Sequence, residues 1–257
     1  MSNRSWQTGP LGQLDIATRF LTTFPLPWPA ATQRDGIARA LPFFPLVGAM
    51  IGVVLLGIGA VAGLFWPPLA QAVLIVVAWG ILTGGLHLDG VSDTFDAVMS
   101  WRPRERKLEI LKDSRIGAMG ALALVAVLLL KVTLLAGAGA IWWCAVLSTP
   151  ILGRWAMIYA IARFPPARAD GLGSSVQGRL RTVHLVVVSS AVALAVAGVA
   201  GVAGLCGFLL VGIGAQILGH WWTRDLGGLT GDTYGAICEL TEVIALATLT
   251  AVARFAL

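Results

Sequence analysis

Charge is sparse in this sequence: 12% of its 257 residues are Asp, Glu, Lys or Arg, against 57% that are hydrophobic, and the mean hydropathy is +0.84. That balance excludes a soluble domain of ordinary composition and marks a polytopic membrane protein. The apolar stretches are continuous and do not alternate with a period of two, which excludes a transmembrane barrel. Cysteine is also rare. Cys144, Cys206 and Cys238 are scattered through apolar stretches, giving neither a disulfide framework nor a zinc spacing, and read as small core residues. The N-terminal arm lacks the unbroken apolar core of a cleavable secretory leader. No aromatic-basic RNA motif accompanies the formal net charge of +5. The excess base fits topology signals and anionic headgroups, so membrane lipids, and no nucleic acid, are the expected partners.

What the chain does have is apolar runs. Seven spans are predicted, over residues 41–65, 68–88, 118–135, 138–162, 182–203, 204–222 and 235–253, each near the roughly 20 residues a helix needs to cross a bilayer. The predicted fold is an all-α transmembrane helical bundle, one domain over 41–257, preceded by an N-terminal arm over 1–40. Within the arm, "LGQLDIATRFLTTF" at 11–24 sets Leu14, Ala17, Phe20, Leu21 and Phe24 at helical spacing, with Asp15 and Arg19 as its charges. This is the pattern of an amphipathic helix lying on the membrane surface. Small-residue runs such as "GVAGVAGLCG" at 198–207 permit close helix packing within one subunit or between copies in a homo-oligomer.

Lysine and arginine set the orientation. Arg4, Arg19, Arg34 and Arg39, the six basic residues within 101–117, Arg163, Arg168, Arg179 and Arg181, and Arg224 all fall on one side of seven spans. The opposite connections, near Trp66, Gly137 and Gly204, carry none. The positive-inside rule then places the N-terminus in the cytoplasm and the C-terminus outside.

In "GGLHLDGVSDTFDAVMS", residues 84–100, Asp89, Asp93 and Asp96 fall at about 0°, 40° and 340° around a helix, in one stripe about 60° wide. Two such charges about 6 Å apart repel by roughly 3 kcal/mol at an effective dielectric near 20, so a compensating cation is expected. Carboxylate oxygens with no Cys/His cluster favour Mg²⁺, Mn²⁺ or Ca²⁺ over zinc. The plainer alternative is a solvated helix start with Asp89 as its cap. A second stretch, "GGLTGDTYGAICELTE" at 227–242, sets a glycine-rich turn and Asp232 ahead of the last span. Glu239 follows on the same helical face and Glu242 lies about 60° further round. Gly227, Gly228 and Gly231 would let backbone N–H groups approach an anionic ligand while the carboxylates complete a metal site begun by the aspartates; the alternative is a tight interhelical turn with Glu239 as a buried structural acid.

Candidate phosphate ligands lie between these stretches. "KDSRIGAMG", 112–120, offers Lys112, Ser114 and Arg115, which read equally as a positive-inside anchor. Arg154, inside the fourth span, needs a protein carboxylate or a substrate phosphate. Lys131 is expected to snorkel or pair, without an assigned role. "RADGLGSSVQGR", 168–179, suits a mobile cover or a connector. On a continuous helix His87 points about 160° away from the acidic stripe. It joins the site only if Gly84, Gly85 or Gly90 breaks the helix, and would then suit a general base.

Taken together, "GGLHLDGVSDTFDA", "KDSRIGAMGALAL", Arg154, "DGLGSS" and "GGLTGDTYGAICELTE" resemble the cobalamin-5′-phosphate synthase family, the adenosylcobinamide-GDP ribazoletransferases. The resemblance runs from "FPLVGAMIG" at residue 44 to the last span. Family members usually carry Leu-Ala where this chain has Val91-Ser92, a change that leaves the aspartates in place. The resemblance implies an Mg²⁺-dependent transferase of the bacterial inner membrane, acting late in cobalamin synthesis. A hydroxyl of α-ribazole, or of its 5′-phosphate, attacks the corrinoid-linked phosphate of adenosylcobinamide-GDP, and GMP leaves. On that reading Asp89, Asp93 and Asp96 hold metal, and Asp232 and Glu239 complete the site or bind a second ion. Lys112, Ser114, Arg115, Arg154, Gly228 and Gly231 hold phosphate, and His87 or one of the aspartates takes the hydroxyl proton.

Two other classes compete. A CDP-alcohol phosphotransferase-like lipid synthase also uses an aspartate-rich DG motif, but usually adds an Ala-Arg pair and a further aspartate pair that this chain lacks; a polyprenyl transferase is a weaker variant. A divalent-cation transporter needs polar groups at mid-membrane and access from both faces, whereas these carboxylates are expected to crowd one face.

Overall fold

Prolines open several of the helices, at positions where a fixed φ and a missing N–H cost nothing: Pro10 starts the first, Pro45 lies in the first turn of another and Pro68 starts the next. In the computed structural model, which describes residues 9–28, 30, 36–168, 176 and 180–255, the elements run α1 Pro10–Leu21, α2 Gly36–Ala40, α3 Phe44–Phe65, α4 Pro68–Leu82, α5 Leu86–Val98, α6 Arg104–Ile110, α7 Ala118–Ala136, α8 Trp142–Arg163, α9 Thr182–Leu226 and α10 Gly231–Phe255. Five are long and apolar enough to cross a membrane: α3 with the short turns before it, α7, α8, α9 and α10. The pair α4 and α5 also qualifies, but bent by 89°. Side chains such as Leu64 and Leu194, 78% and 74% exposed, would be costly in water and are at home against lipid.

α8 is the central helix, packed against α3, α9 and α10. Gly48 of α3 lets the two backbones meet. A β-carbon there would stand 2.7 Å from the Pro150 carbonyl carbon and 2.9 Å from the Ile151 α-carbon, the close approach that small residues give membrane helices.

The 45-residue α9 is not one rod. Gly201 (φ 56°, ψ −135°) breaks its helical geometry, and Gly204 returns against the Val196 carbonyl. Trp155 donates to the Ser189 hydroxyl at 2.9 Å while its ring lies 4.1 Å from that of Phe208. In a straight helix those two residues would be about 28 Å apart. α9 is therefore a hairpin of two legs, 182–200 and 202–226, matching the pair of spans expected there with the turn a few residues earlier.

The second expected span, 68–88, is broken. α4 stops at Leu82, and Gly84 (φ 61°) and Gly85 (φ 69°) carry the chain through left-handed backbone that only glycine adopts cheaply. Beyond the bend, α5 crosses the starting ends of α7 and α10. The arm also differs from expectation. α1 ends three residues short of the expected limit and docks on the bundle: Ala17 and Leu21 are fully buried, and Phe20 stacks on Phe44 with centroids 5.9 Å apart.

The basic segments meet at one end. Arg104 donates to the carbonyls of Leu226 (2.7 Å) and Ala167 (3.1 Å), Lys107 pairs with Asp225 at 2.6 Å, and Arg168 donates to the Leu108 carbonyl. Pro166 and Leu229 form a parallel bridge beside them. The loop expected at 168–179 falls, apart from Arg168 and Val176, outside the described residues.

Candidate active site

α5 carries the acidic stripe to the same end of the bundle. Asp96 is engaged locally, its two oxygens accepting from the backbone N–H groups of Gly117 (2.7 Å) and Gly120 (2.8 Å), which caps α7 and ties it to α5. Such charge-assisted bonds at a helix N-terminus satisfy amides that have no partner within the helix. Gly117 and Gly120 face that carboxylate too closely for a β-carbon. Asp96 was expected as a metal ligand; these amides occupy both of its oxygens.

Asp89 and Asp93 lie beyond this contact. Asp89, Asp232, Asp96 and Asp113, all negative, bear on Asp93, and among the described residues neither Asp89 nor Asp93 has an ion-pair partner. Asp232 reaches the cluster from the first turn of α10. It is held there by a reciprocal cap, with Thr230 N–H donating to the Thr233 hydroxyl oxygen at 2.7 Å and Thr233 N–H donating back at 3.3 Å. The Thr230 hydroxyl also donates to Asp232 at 3.3 Å. Gly90 lets α5 press on the backbone of Asp232. Among the described residues, no three His, Cys, Asp or Glu groups converge tightly enough to cage an ion.

A cavity of about 240 Å³ opens beside the cluster, lined by His87, Asp89, Gly231, Asp232 and Tyr234 with apolar walls from α1, α3 and α8. The bend at Gly84 and Gly85 lies before His87, which shares the unbroken α5 with the aspartates and reaches the cavity from another face of that helix, and Gly235 of α10 packs against its backbone, where a β-carbon would be 3.2 Å from its α-carbon. His87 is 1% exposed. Its Nδ1 is 3.3 Å from Nη2 of Arg154, and its Nε2 has no partner among the described residues.

Beneath the cavity lies a buried charge network. Arg154 of α8 donates from Nη1 to Glu242, Lys131 of α7 donates to Glu242 and, at 2.6 Å, to Glu239, and the Lys131 ammonium sits 4.2 Å above the Trp79 ring. Two cations and two carboxylates balance, as a buried cluster requires. One expected role is corrected here. Glu239 is two helical turns, about 10 Å, deeper than Asp232 and neutralises Lys131, so it is not beside the aspartates. Arg154, expected to hold a phosphate or a protein carboxylate, has the carboxylate of Glu242 as its partner.

The sequence matches the cobalamin-5-phosphate synthase family over residues 13–250. The chain belongs to that family. It is 54% identical to the adenosylcobinamide-GDP ribazoletransferase of Roseiflexus sp. (strain RS-1), covering 96% of this chain and 92% of the relative. It is 44% identical to the protein of the same name from Herpetosiphon aurantiacus, over 91% and 94%, and 42% identical to that of Desulforamulus reducens, over 89% and 92%. No solved structure matches.

In this cobalamin-5-phosphate synthase family member the remaining expected phosphate ligands divide. Lys112, Ser114 and Arg115 lie on the segment before α7, with Lys112 and Arg115 exposed and Arg115 clasping Asp113 from Nη2 at 2.6 Å. That clasp holds the Asp113 carboxyl down at about 2. Gly231 faces open space at the cavity. Gly228 packs against the chain: a β-carbon there would lie 2.6 Å from the amide nitrogen of Ala167. Asp113 was missed as a member of the acidic cluster because it lies outside the α5 stripe, on a separate segment.

Proposed function

We propose that this chain catalyses the reaction its relatives are named for, joining α-ribazole or its 5′-phosphate to adenosylcobinamide-GDP with release of GMP, late in cobalamin synthesis. The ribazole hydroxyl forms the new bond to the corrinoid-linked phosphorus as the bond to the GMP oxygen breaks. The observation that carries this reading is Asp93, which has Asp89, Asp232, Asp96 and Asp113 among its charged neighbours and no ion-pair partner among the described residues, next to a cavity with polar groups at one wall. Asp93 with one of Asp89 and Asp232 would hold Mg²⁺. The donor set fits: magnesium is usually bound through one or two carboxylates, with water and substrate phosphate completing its shell, and needs no closed cage. When bound, the ion supplies charge neutralisation at the diphosphate and the leaving phosphate.

The other steps belong to side chains. Asp89 or Asp232, both lining the cavity, takes the proton of the attacking hydroxyl, Gly231 leaves room for a phosphate at the start of α10, and Lys112 and Arg115 draw the anionic substrate to the mouth. Alignment and charge are most of what phosphoryl transfer asks. At about 240 Å³ the cavity is smaller than pockets that enclose a whole drug-sized ligand, so it takes in the reacting end while the corrinoid stays outside. The positive-inside rule puts this end of the bundle in the cytoplasm.

The test is GMP release from adenosylcobinamide-GDP and α-ribazole by the purified protein in lipid vesicles, with CDP-diacylglycerol and an alcohol as the competing substrates. Asp93→Asn is expected to lower the rate by at least about 100-fold at limiting Mg²⁺ and to weaken Mn²⁺ binding measured by electron paramagnetic resonance. A variant with wild-type rate and Mn²⁺ affinity would remove the metal assignment.

A further inference from the structure

We propose that His87 serves the transfer as a neutral hydrogen-bond donor, its Nε2–H directed at a phosphate oxygen of the bound substrate, and not as the base. This rests on the transferase reading above and assigns a role within it. Arginine has five N–H groups and no lone pair, and it stays protonated in proteins. Its contact with Nδ1 of His87 at 3.3 Å is a hydrogen bond only if Nδ1 offers a lone pair. A neutral imidazole with a bare Nδ1 carries its proton on Nε2, and a doubly protonated one would set N–H against N–H. The tautomer is therefore assigned by the hydrogen-bond network.

The network holds the guanidinium in place. Arg154 and Glu242 are both fully buried, Glu242 is joined in turn to Lys131, and Lys131 to Glu239. Three helices, α7, α8 and α10, thus converge to fix one imidazole on α5, as outer partners fix the tautomer of a histidine that binds a ligand. His87 lines the cavity with Asp89 and Asp232, and its Nε2 is buried without a partner among the described residues. A buried N–H left unmatched needs an acceptor. An N–H attracts a phosphate oxygen of an anionic substrate, and more so as charge builds on the leaving group. The proton of the attacking hydroxyl passes to a carboxylate, and the imidazole proton is shared without being transferred.

Two measurements test this. In protein labelled with ¹⁵N-histidine and held in lipid, the resonance lost in His87→Gln, against His184 and His220, identifies His87. The expected spectrum has Nε2 protonated and Nδ1 bare without substrate, and the Nε2–H signal moves when adenosylcobinamide-GDP is added. In the transfer assay His87→Ala is expected to lose about 10²–10³-fold in kcat with KM little changed, while His87→Gln, whose amide N–H reaches the Nε2 position, stays within about tenfold of wild type. A bare Nε2 with a protonated Nδ1, or a folded, substrate-binding His87→Gln as slow as His87→Ala, overturns the inference. Because the tautomer is read without substrate, a wild-type protein that releases no GMP would sink the transferase reading while leaving the tautomer result in hand.

Discussion

Replacing Lys131 with methionine keeps nearly the length of the side chain and removes its charge from the middle of the bundle. In the native network Lys131 and Arg154 oppose Glu239 and Glu242. Without Lys131 the cluster holds one uncompensated negative charge, and it falls on Glu239, since Glu242 keeps Arg154. Removing one partner of a buried ion pair costs about 3–5 kcal/mol, and the lost stacking of the ammonium over Trp79 adds up to about 2 kcal/mol. Changing Glu239 to glutamine in the same chain removes the stranded charge, so the double variant is expected to recover most of the loss and remain about 1–2 kcal/mol below wild type, the part belonging to Trp79. Denaturant unfolding in mixed micelles, followed by tryptophan fluorescence, measures both. The reasoning fails if Lys131→Met lies within about 1 kcal/mol of wild type, or if the double variant is no more stable than the single.

Asp96→Ala takes the acceptors from Gly117 and Gly120 and is expected to cost about 2 kcal/mol of stability while leaving Mn²⁺ affinity unchanged; a variant of native stability with lost Mn²⁺ binding would return Asp96 to the ligands. Gly201→Ala forces a β-carbon into the turn of the α9 hairpin and is expected to cost about 1–3 kcal/mol in the same unfolding measurement, whereas native stability would show that the turn does not need glycine.

Much of the site was legible because it is local. Asp89, Asp93 and Asp96 share a helical face by spacing alone, whereas the place of His87 at the cavity is set by the helices that pack against α5. The hairpin turn at Gly201 falls within three residues of the expected junction between the fifth and sixth spans, because membrane thickness limits helix length as strongly as any contact does. The roles of Arg154, Lys131 and Glu239 were not legible. A buried charge announces that it needs a partner, but a protein carboxylate and a substrate phosphate offer the same attraction, and the choice depends on which helices face each other.

Composition and apolar run length, acting through the cost of unpaired backbone in lipid, determined by themselves that this chain is a helical membrane bundle. The family likeness was equally present in the linear order of its motifs. Only the tertiary structure decided which acids stand free beside the cavity and which are spent on Lys131, Arg154 or the amides of α7. The physical reason is that a charge in low dielectric is governed by its nearest neighbours in space, and those neighbours, 21 residues away for Asp96 and 108 for Lys131, come together only when the helices pack.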